Sequence, residues 1–403
     1  MPNCGSFHFN SNSISARTKV NKQPATTSLE SGNTKAPRFY IPSLDGIRAV
    51  SIAIVFLSHA GYSFIPGGFG VNVFFFLSGY LITTLLVREF KLKGTINLIN
   101  FYWRRIWRIF PPMYAALALA VLVSLSGLNR EHSIGPDHPR AEMFSQIGNA
   151  PTFSTVAAQA LHFSNYVNIN EEMKIGMPLG SRVFWSLAVE EHFYLIFPVF
   201  VLFLLPRISP KAQGITMLCL CGALLVWRLI LVLYFDVGGD RIFYATDTRF
   251  DAILFGCAMG LYLNPMDSES PHWSDRKALI WTGVGVALIL ASLVIRNEIF
   301  RNSFRYSLQS LALFPIFYAA IRRPDLAVFQ PLNWSWVRFI GLLSYSLYLV
   351  HHTVILALVN MKPDISTPVV IVVAGIISLV IAYLFHVGLE KPAARMRKRY
   401  AST

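Results

Sequence analysis

Apolar stretches of bilayer-spanning length recur along the chain from residue 45 almost to the C-terminus. A transmembrane helix needs roughly 17 to 25 predominantly apolar residues. The segments that meet this requirement lie near 45–63, 69–88, 108–127, 184–205, 214–236, 248–264, 277–295, 304–321, 337–359 and 366–388. The pattern therefore predicts an all-α integral membrane protein with about ten transmembrane helices.

The composition agrees with this prediction. Of the 403 residues, 54% are hydrophobic and only 14% are charged, whereas a soluble domain carries about 25% charged residues. Because the apolar segments follow one another along the whole length, we expect one integral domain and no separate soluble domain.

Lysine and arginine residues set the expected orientation. With the N-terminus inside, most of them fall on the cytoplasmic face, as the positive-inside rule requires, and an even number of spans returns the C-terminus to the same face. The net charge of +14 comes from short basic segments between apolar runs. We therefore expect both termini to be cytoplasmic, with a lipid bilayer and no nucleic acid as partner.

The ends of the chain and one long connection are polar. Residues 1–38 are rich in Ser, Thr, Asn and Lys and lack the apolar core of a signal peptide, which predicts a disordered cytoplasmic tail. We expect a transmembrane domain over 39–392 and a basic cytoplasmic tail over 393–403. The connection 128–183 falls outside, where a loop of this length is typically functional.

A charged side chain within a transmembrane helix costs about 2.5 to 3.5 kcal/mol on insertion scales, so each one is a functional candidate. The first span contains Arg48 and His59. They are eleven positions apart, which puts their side chains within about 20° of the same helix face and about 16 Å apart along the axis. They therefore mark two depths of one polar stripe. Alternatively, Arg48 reaches back to the inner interface and His59 is a helix-packing histidine.

Arg105 and Arg108 lie three residues apart at the cytoplasmic boundary. The spacing puts both guanidinium groups on one helix face, where they are suited to bind phosphate oxygens. Alternatively, the segment is a positively charged membrane anchor with Trp103 and Trp107 as interfacial aromatic residues.

Glu190 lies near the start of the fourth span, which runs from the outer face inward, at about the same depth as His59. A carboxylate near an imidazole orients its tautomer and raises its basicity, as a general base requires. Both acidic groups, Glu190 and Glu191, are alternatively an interfacial feature without chemistry. Further polar residues at membrane depth, candidates for substrate binding or oxyanion stabilisation or else for interhelical hydrogen bonding, are Ser78, Arg249, Asp251, Ser344, Tyr348 and His351.

The sequence contains no Gly-rich phosphate loop, no nucleophile elbow and no cluster with metal-ligand spacing, so we expect no metal and no permanently bound cofactor. Several motifs in order instead resemble the acyltransferase-3 family, over roughly residues 40 to 392. They are Leu44-Asp45-Gly46-Ile47-Arg48, His59, Phe75 to Tyr80, Arg105-x-x-Arg108 with Pro111, Trp185 to Glu190, Arg249-Phe250-Asp251 with Gly256, Ser344 to His351, and Glu390-Lys391-Pro392.

The resemblance implies a multi-pass protein of the bacterial inner membrane that O-acetylates surface or exopolysaccharide sugars, or a lipid-linked oligosaccharide. It implies acyl-CoA, most simply acetyl-CoA, as cytoplasmic co-substrate, and functional roles for Arg48, His59, the Arg105/Arg108 pair and Glu190. Some relatives carry a fused SGNH hydrolase-like domain, and here we expect a stand-alone member.

On this interpretation the arginine pair and Arg48 hold the donor, while His59 and Glu190 are catalytic. Direct transfer and an acyl-histidine intermediate both remain open. The acceptor is alternatively a small glycosylated product such as a macrolide. A rival interpretation is a transporter or flippase whose buried charges form a proton relay, although the second half contains no repeat of the Arg48 to His59 pattern.

Overall fold

The structure is a computed structural model that describes residues 41–126, 128, 143 and 146–400. Every regular element among these residues is helical. The helices are α1 Pro42–His59, α2 Gly67–Lys93, α3 Leu98–Leu125, α4 Phe153–Ala160, α5 Ser164–Val167, α6 Glu171–Ile175, α7 Trp185–Leu204, α8 Pro210–Tyr234, α9 Gly239–Tyr244, α10 Thr246–Tyr262, α11 Asp275–Val294, α12 Glu298–Asn302, α13 Phe304–Arg322, α14 Ser335–Met361, α15 Thr367–Phe385 and α16 Lys391–Arg399. The predicted N-terminal tail 1–38 lies outside the described residues.

Seven helical stretches of the described residues are long and apolar enough to cross a membrane. They are Gly67–Lys93, Leu98–Leu125, Ser181–Leu204, Pro210–Tyr234, Asp275–Val294, Ser335–Met361 and Thr367–Lys398. The other three predicted spans also form helices, namely α1, α10 and α13, but these are more polar or shorter. The fold is thus a multi-pass helical membrane protein, while the count of ten and the orientation of the termini remain predictions.

Local sequence explains where several of these helices begin and end. The Asn97 side chain accepts a hydrogen bond from the Asn100 backbone N–H (2.8 Å) at the start of α3, which satisfies a donor that the helix leaves unpaired. Ser209 does the same for α8 and Ser274 for α11. Gly94 ends α2 in the left-handed region with φ +71°, a conformation that glycine adopts without steric cost.

The helices that carry the polar candidates approach each other at glycines. A Cβ on Gly79 of α2 would lie 1.9 Å from the carbonyl oxygen of Ile253 in α10, and a Cβ on Gly341 of α14 would lie 1.8 Å from that of Asp45 in α1. Small residues permit such backbone contact between membrane helices. As a result α1, α2, α10 and α14 form the tightly packed centre of the bundle.

The described part of the long connection, 146–183, packs onto the bundle instead of standing away from it. The Tyr114 hydroxyl, near the middle of α3, donates to the Ala160 carbonyl (3.2 Å). The Leu179 N–H donates to Ser124 Oγ (2.7 Å), and the Thr353 hydroxyl of α14 donates to the Leu179 carbonyl (2.9 Å). The connection therefore leads down between α3 and α14 to the start of α7.

Candidate active site

His59, the last residue of α1, meets two histidines of α14. Its Nδ1 lies 2.9 Å from Nε2 of His351. The two rings are stacked with centroids 5.2 Å apart, and the His352 ring stacks on His59 at 4.6 Å. His351 has no exposed surface and His352 is 5% exposed, while His59 is half-buried. His59 is thus the member of this group that a substrate can reach.

The surroundings of His351 determine which nitrogen of His59 carries the proton. Nδ1 of His351 lies 2.7 Å from the Tyr348 carbonyl, and a carbonyl oxygen can only accept, so this nitrogen is the N–H donor. In neutral His351 the other nitrogen, Nε2, must then accept the proton of His59 Nδ1. Neutral His59 is left with an unprotonated Nε2, and no hydrogen bond within the described part of the chain occupies it. This is the form that a general base requires.

The hydrogen-bond partner of His59 is therefore an imidazole and not the carboxylate of Glu190. Glu190 instead accepts from Ser78 Oγ (3.1 Å) and from the Tyr194 hydroxyl (2.7 Å). Ser78 belongs to α2 and Tyr194 lies one turn further along α7, so the carboxylate is fixed between two helices. Because Ser78 donates to Glu190, its hydroxyl proton is already engaged.

A chain of side chains links the two centres. Glu190 and Ser186 are one helical turn apart on α7, and Ser186 Oγ lies 2.7 Å from the Tyr348 hydroxyl. That hydroxyl donates to the Val183 carbonyl (2.9 Å), which leaves Ser186 as the donor to Tyr348. The Tyr348 ring lies 5.7 Å from that of His351. Tyr348 thus supports the histidines, and Ser344 lies one turn away on α14, buried at 4% exposure.

The predicted phosphate-binding arginines lie on the other side of Glu190. Arg105 lies between two rings, 5.0 Å from the Tyr194 centroid and 5.5 Å from that of Phe101. It interacts electrostatically with Arg108 and with Glu190. Neither Arg105 nor Arg108 forms an ion pair with any residue that the structure describes. Two neighbouring guanidinium groups that form no ion pair with a described residue favour an anionic ligand.

Arg48 differs from this pair because it has a partner of its own. Its Nη1 donates to Asp45 Oδ1 (2.6 Å), one turn earlier on α1. Arg48 also interacts electrostatically with Arg108. It therefore borders the arginine site at the level where the stripe toward His59 begins.

Arg249 and Asp251 are both completely buried, so a substrate cannot touch them in this conformation. Arg249 donates to Asn72 Oδ1 (2.5 Å) and lies over the Tyr306 ring at 4.1 Å. Asp251 forms a fully buried ion pair with Arg228 (2.8 Å). Both residues hold α2, α8, α10 and α13 together. We therefore interpret them as positioning residues rather than as oxyanion donors.

Four residues near the site were not predicted from the sequence: Arg228, Ser186, Tyr194 and the C-terminal Arg397. Arg228 is a charged residue in the apolar part of α8, and the cost of burying an arginine there was the signal available. Ser186 and Tyr194 lie four residues to either side of Glu190, so the helical period relates them to it. Among the described residues, no cluster of His, Cys, Asp and Glu has the arrangement of a metal site.

The fold and the site together define a class of protein: a multi-pass helical membrane protein with a hydrogen-bonded histidine cluster inside the bundle and an arginine pair beside a half-buried carboxylate. Comparison with known proteins agrees with this class. The family model described as an acyltransferase domain matches residues 41–387, and the chain belongs to this acyltransferase-3 family.

Two relatives show the breadth of the similarity. The peptidoglycan O-acetyltransferase OatA of Listeria monocytogenes is 30% identical over 335 residues, which cover 80% of this chain and 50% of OatA. YrhL of Bacillus subtilis, which carries the provisional name of a peptidoglycan O-acetyltransferase, is 29% identical over 369 residues, covering 88% of this chain and 55% of YrhL. The chain thus spans about half the length of the curated relatives it matches. No solved structure matches it.

Proposed function

We propose that this chain transfers an acetyl group from acetyl-CoA to a hydroxyl of an extracytoplasmic surface glycan, across the bacterial cytoplasmic membrane. The observation that carries the proposal is the polar path through the bundle. It begins at Arg105 and Arg108, passes Glu190 and Tyr348, and ends at His59 Nε2, to which no described residue forms a hydrogen bond. One end suits phosphates and the other suits proton abstraction.

The donor enters from the face that the positive-inside rule makes cytoplasmic. Arg105 and Arg108 bind phosphate oxygens of coenzyme A, because guanidinium groups form paired hydrogen bonds with phosphate. Arg48 and His59 are about 16 Å apart along α1, a distance that an extended pantetheine arm covers. The thioester then lies beside His59.

The transfer step uses the tautomer deduced above. His59 Nε2 takes the proton of the acceptor hydroxyl while the hydroxyl oxygen attacks the thioester carbonyl. The tetrahedral intermediate collapses, the carbon–sulfur bond breaks, and the proton passes from His59 to the departing thiolate. His351 Nε2 accepts the hydrogen bond from His59 Nδ1–H throughout, and this hydrogen bond strengthens when His59 becomes cationic. Direct transfer needs no acyl-histidine intermediate.

The acceptor class is suggested by the relatives. OatA is named as a peptidoglycan O-acetyltransferase, which supports a cell-wall or other surface glycan as acceptor for this chain. Membership of an acyltransferase family gives no support to the transporter alternative.

The experiment is acetyl transfer in proteoliposomes, with labelled acetyl-CoA outside or inside and peptidoglycan fragments as acceptor. His59→Ala should lower kcat by about 10²- to 10⁴-fold, the usual contribution of a general base. Arg105→Ala should instead raise KM for acetyl-CoA by about 10- to 100-fold, the loss of a hydrogen bond to a charged group.

Two exposed residues provide matched controls. His272→Ala and Arg276→Ala remove the same side-chain types from positions exposed on the surface of the protein, and both variants should retain wild-type kinetics. The proposed reaction is ruled out if wild type consumes no acetyl-CoA, or if His59→Ala turns over acetyl-CoA as fast as wild type.

A further inference from the structure

The basic C-terminal helix α16 is packed against the start of α3, beside the arginine site. The Tyr400 ring stacks on Trp103 with centroids 5.7 Å apart and an interplanar angle of 13°. Arg104 Nη1 donates to the Tyr400 carbonyl (3.1 Å), and Arg104 is itself held by an ion pair with Glu89 (3.0 Å). The end of α16 is thus attached to the same helix that carries Arg105 and Arg108.

This attachment brings the guanidinium group of Arg397 into the field of the other arginines. Arg397 is half-buried and interacts electrostatically with Arg108 and Arg104. Glu390 is the acidic residue that interacts electrostatically with Arg397. Arg104 is neutralised by Glu89, so the repulsion that remains is chiefly that between Arg397 and Arg108.

Glu390 forms its hydrogen bonds with other side chains and not with Arg397. Oε1 accepts from Ser346 Oγ (2.6 Å), and Oε2 lies 2.7 Å from Nδ1 of His386. Among the residues that the structure describes, Arg397 has no ion pair. Arg397 is half-buried and Arg108 is exposed. Like charges near one another are costly, and a bound anion of high charge reduces this cost.

We propose that Arg397 binds the ribose 3′-phosphate of coenzyme A, so that α16 is part of the donor site. This inference rests on the proposed use of acetyl-CoA and deepens it. The 3′-phosphate and the thiol lie at opposite ends of coenzyme A. Since the thioester must reach His59, the nucleotide end remains at the end of the path where α16 lies. Arg105 and Arg108, which lie nearer Glu190, then hold the pyrophosphate.

The test compares acetyl-CoA with its 3′-dephospho analogue, using the purified full-length chain. For wild type, KM for acetyl-CoA should be about 10- to 100-fold lower than KM for the analogue, because hydrogen bonds to a phosphate are charge-assisted. Arg397→Gln should raise KM for acetyl-CoA by the same factor and leave KM for the analogue and both kcat values unchanged. The preference for the 3′-phosphate should disappear in this variant alone.

Arg395→Gln is the matched control, since Arg395 is exposed on the same helix, and it should keep the wild-type preference. Arg397→Lys, which retains the charge without the planar fork, should show an intermediate preference and guards against misfolding of the glutamine variant. Direct binding of coenzyme A and dephospho-coenzyme A by calorimetry gives a second measurement that needs no turnover.

The outcomes separate this inference from the proposed function. If wild type treats both thioesters alike, or if Arg397→Gln raises both KM values equally, the assignment of Arg397 is wrong while the acetyltransferase function stands. If wild type neither binds nor consumes acetyl-CoA, the proposed function fails and the role of Arg397 fails with it.

Discussion

Replacing His351 with phenylalanine tests the deduced tautomer of His59 most directly. Phenylalanine keeps a ring of similar size but removes the Nε2 atom that lies 2.9 Å from His59 Nδ1. His351 has no exposed surface, so its loss acts through His59 and not through a substrate contact. We expect kcat to fall and KM for acetyl-CoA to stay unchanged.

The size of the effect follows from the charge that His59 gains. A hydrogen bond between neutral groups contributes about 0.5 to 1.5 kcal/mol, and one with a charged group about 1.5 to 3 kcal/mol. The bond from His59 to His351 passes from the first kind to the second during proton transfer. Its loss therefore removes about 1 to 2 kcal/mol of transition-state stabilisation, or roughly 5- to 30-fold in kcat. Without His351, some variant molecules adopt the other tautomer of His59, in which Nε2 carries the proton and cannot act as the base, and this lowers kcat further.

The assay is steady-state acetyl transfer by His351→Phe, His59→Ala and the double variant, at equal amounts of folded protein. Since His351 acts through His59, the double variant should be no slower than His59→Ala alone. His352→Phe is the matched control because His352 stacks on His59 but directs its Nδ1 to the Gly180 carbonyl at 3.3 Å. Multiplicative effects in the double variant, or equal losses from both phenylalanine variants, would refute the tautomer argument.

Two further predictions concern the packing that supports the site. Gly341→Ala puts a Cβ 1.8 Å from the Asp45 carbonyl oxygen, so α1 and α14 must separate. We expect kcat to fall about 100-fold, as for a misplacement of roughly 1 Å. Gly375→Ala is the control, because its new Cβ lies at an ordinary 3.6 Å from the nearest atom, and it should keep the wild-type kcat. Arg228→Met leaves Asp251 buried without its partner and should lower stability by about 3 to 5 kcal/mol, measured as thermal unfolding in detergent, whereas the double variant with Asp251→Leu should recover most of it. Wild-type kcat in the alanine variant, or no rescue in the double variant, would contradict these two accounts.

Much of this protein can be predicted without a structure because a bilayer imposes simple rules. The length and hydropathy of the apolar runs predict helices, and each predicted span contains one in the structure. The cost of burying charge singles out Arg48, His59 and Glu190 as unusual. These inferences depend only on residues that are neighbours along the chain or on one helix face.

Pairings between distant segments lie beyond such reasoning. His59 and His351 are 292 positions apart, and only the close approach of α1 and α14 at Gly341 brings their rings together. For the same reason the similar predicted depths of Glu190 and His59 suggested that they are partners, while the packing of α2 on α7 directs Glu190 to Ser78. Arg397 likewise reads as one charge of a basic tail until Tyr400 is seen attached to α3.

The sequence alone therefore determined the class of fold, the family resemblance and which polar residues lie within apolar helices, because hydropathy and helical period are local properties. Only the tertiary structure decided which of those residues touch, which nitrogen of His59 carries the proton and which arginines form ion pairs among the described residues. These properties depend on how helices far apart in the chain pack, and that packing is set by the shapes of many side chains together.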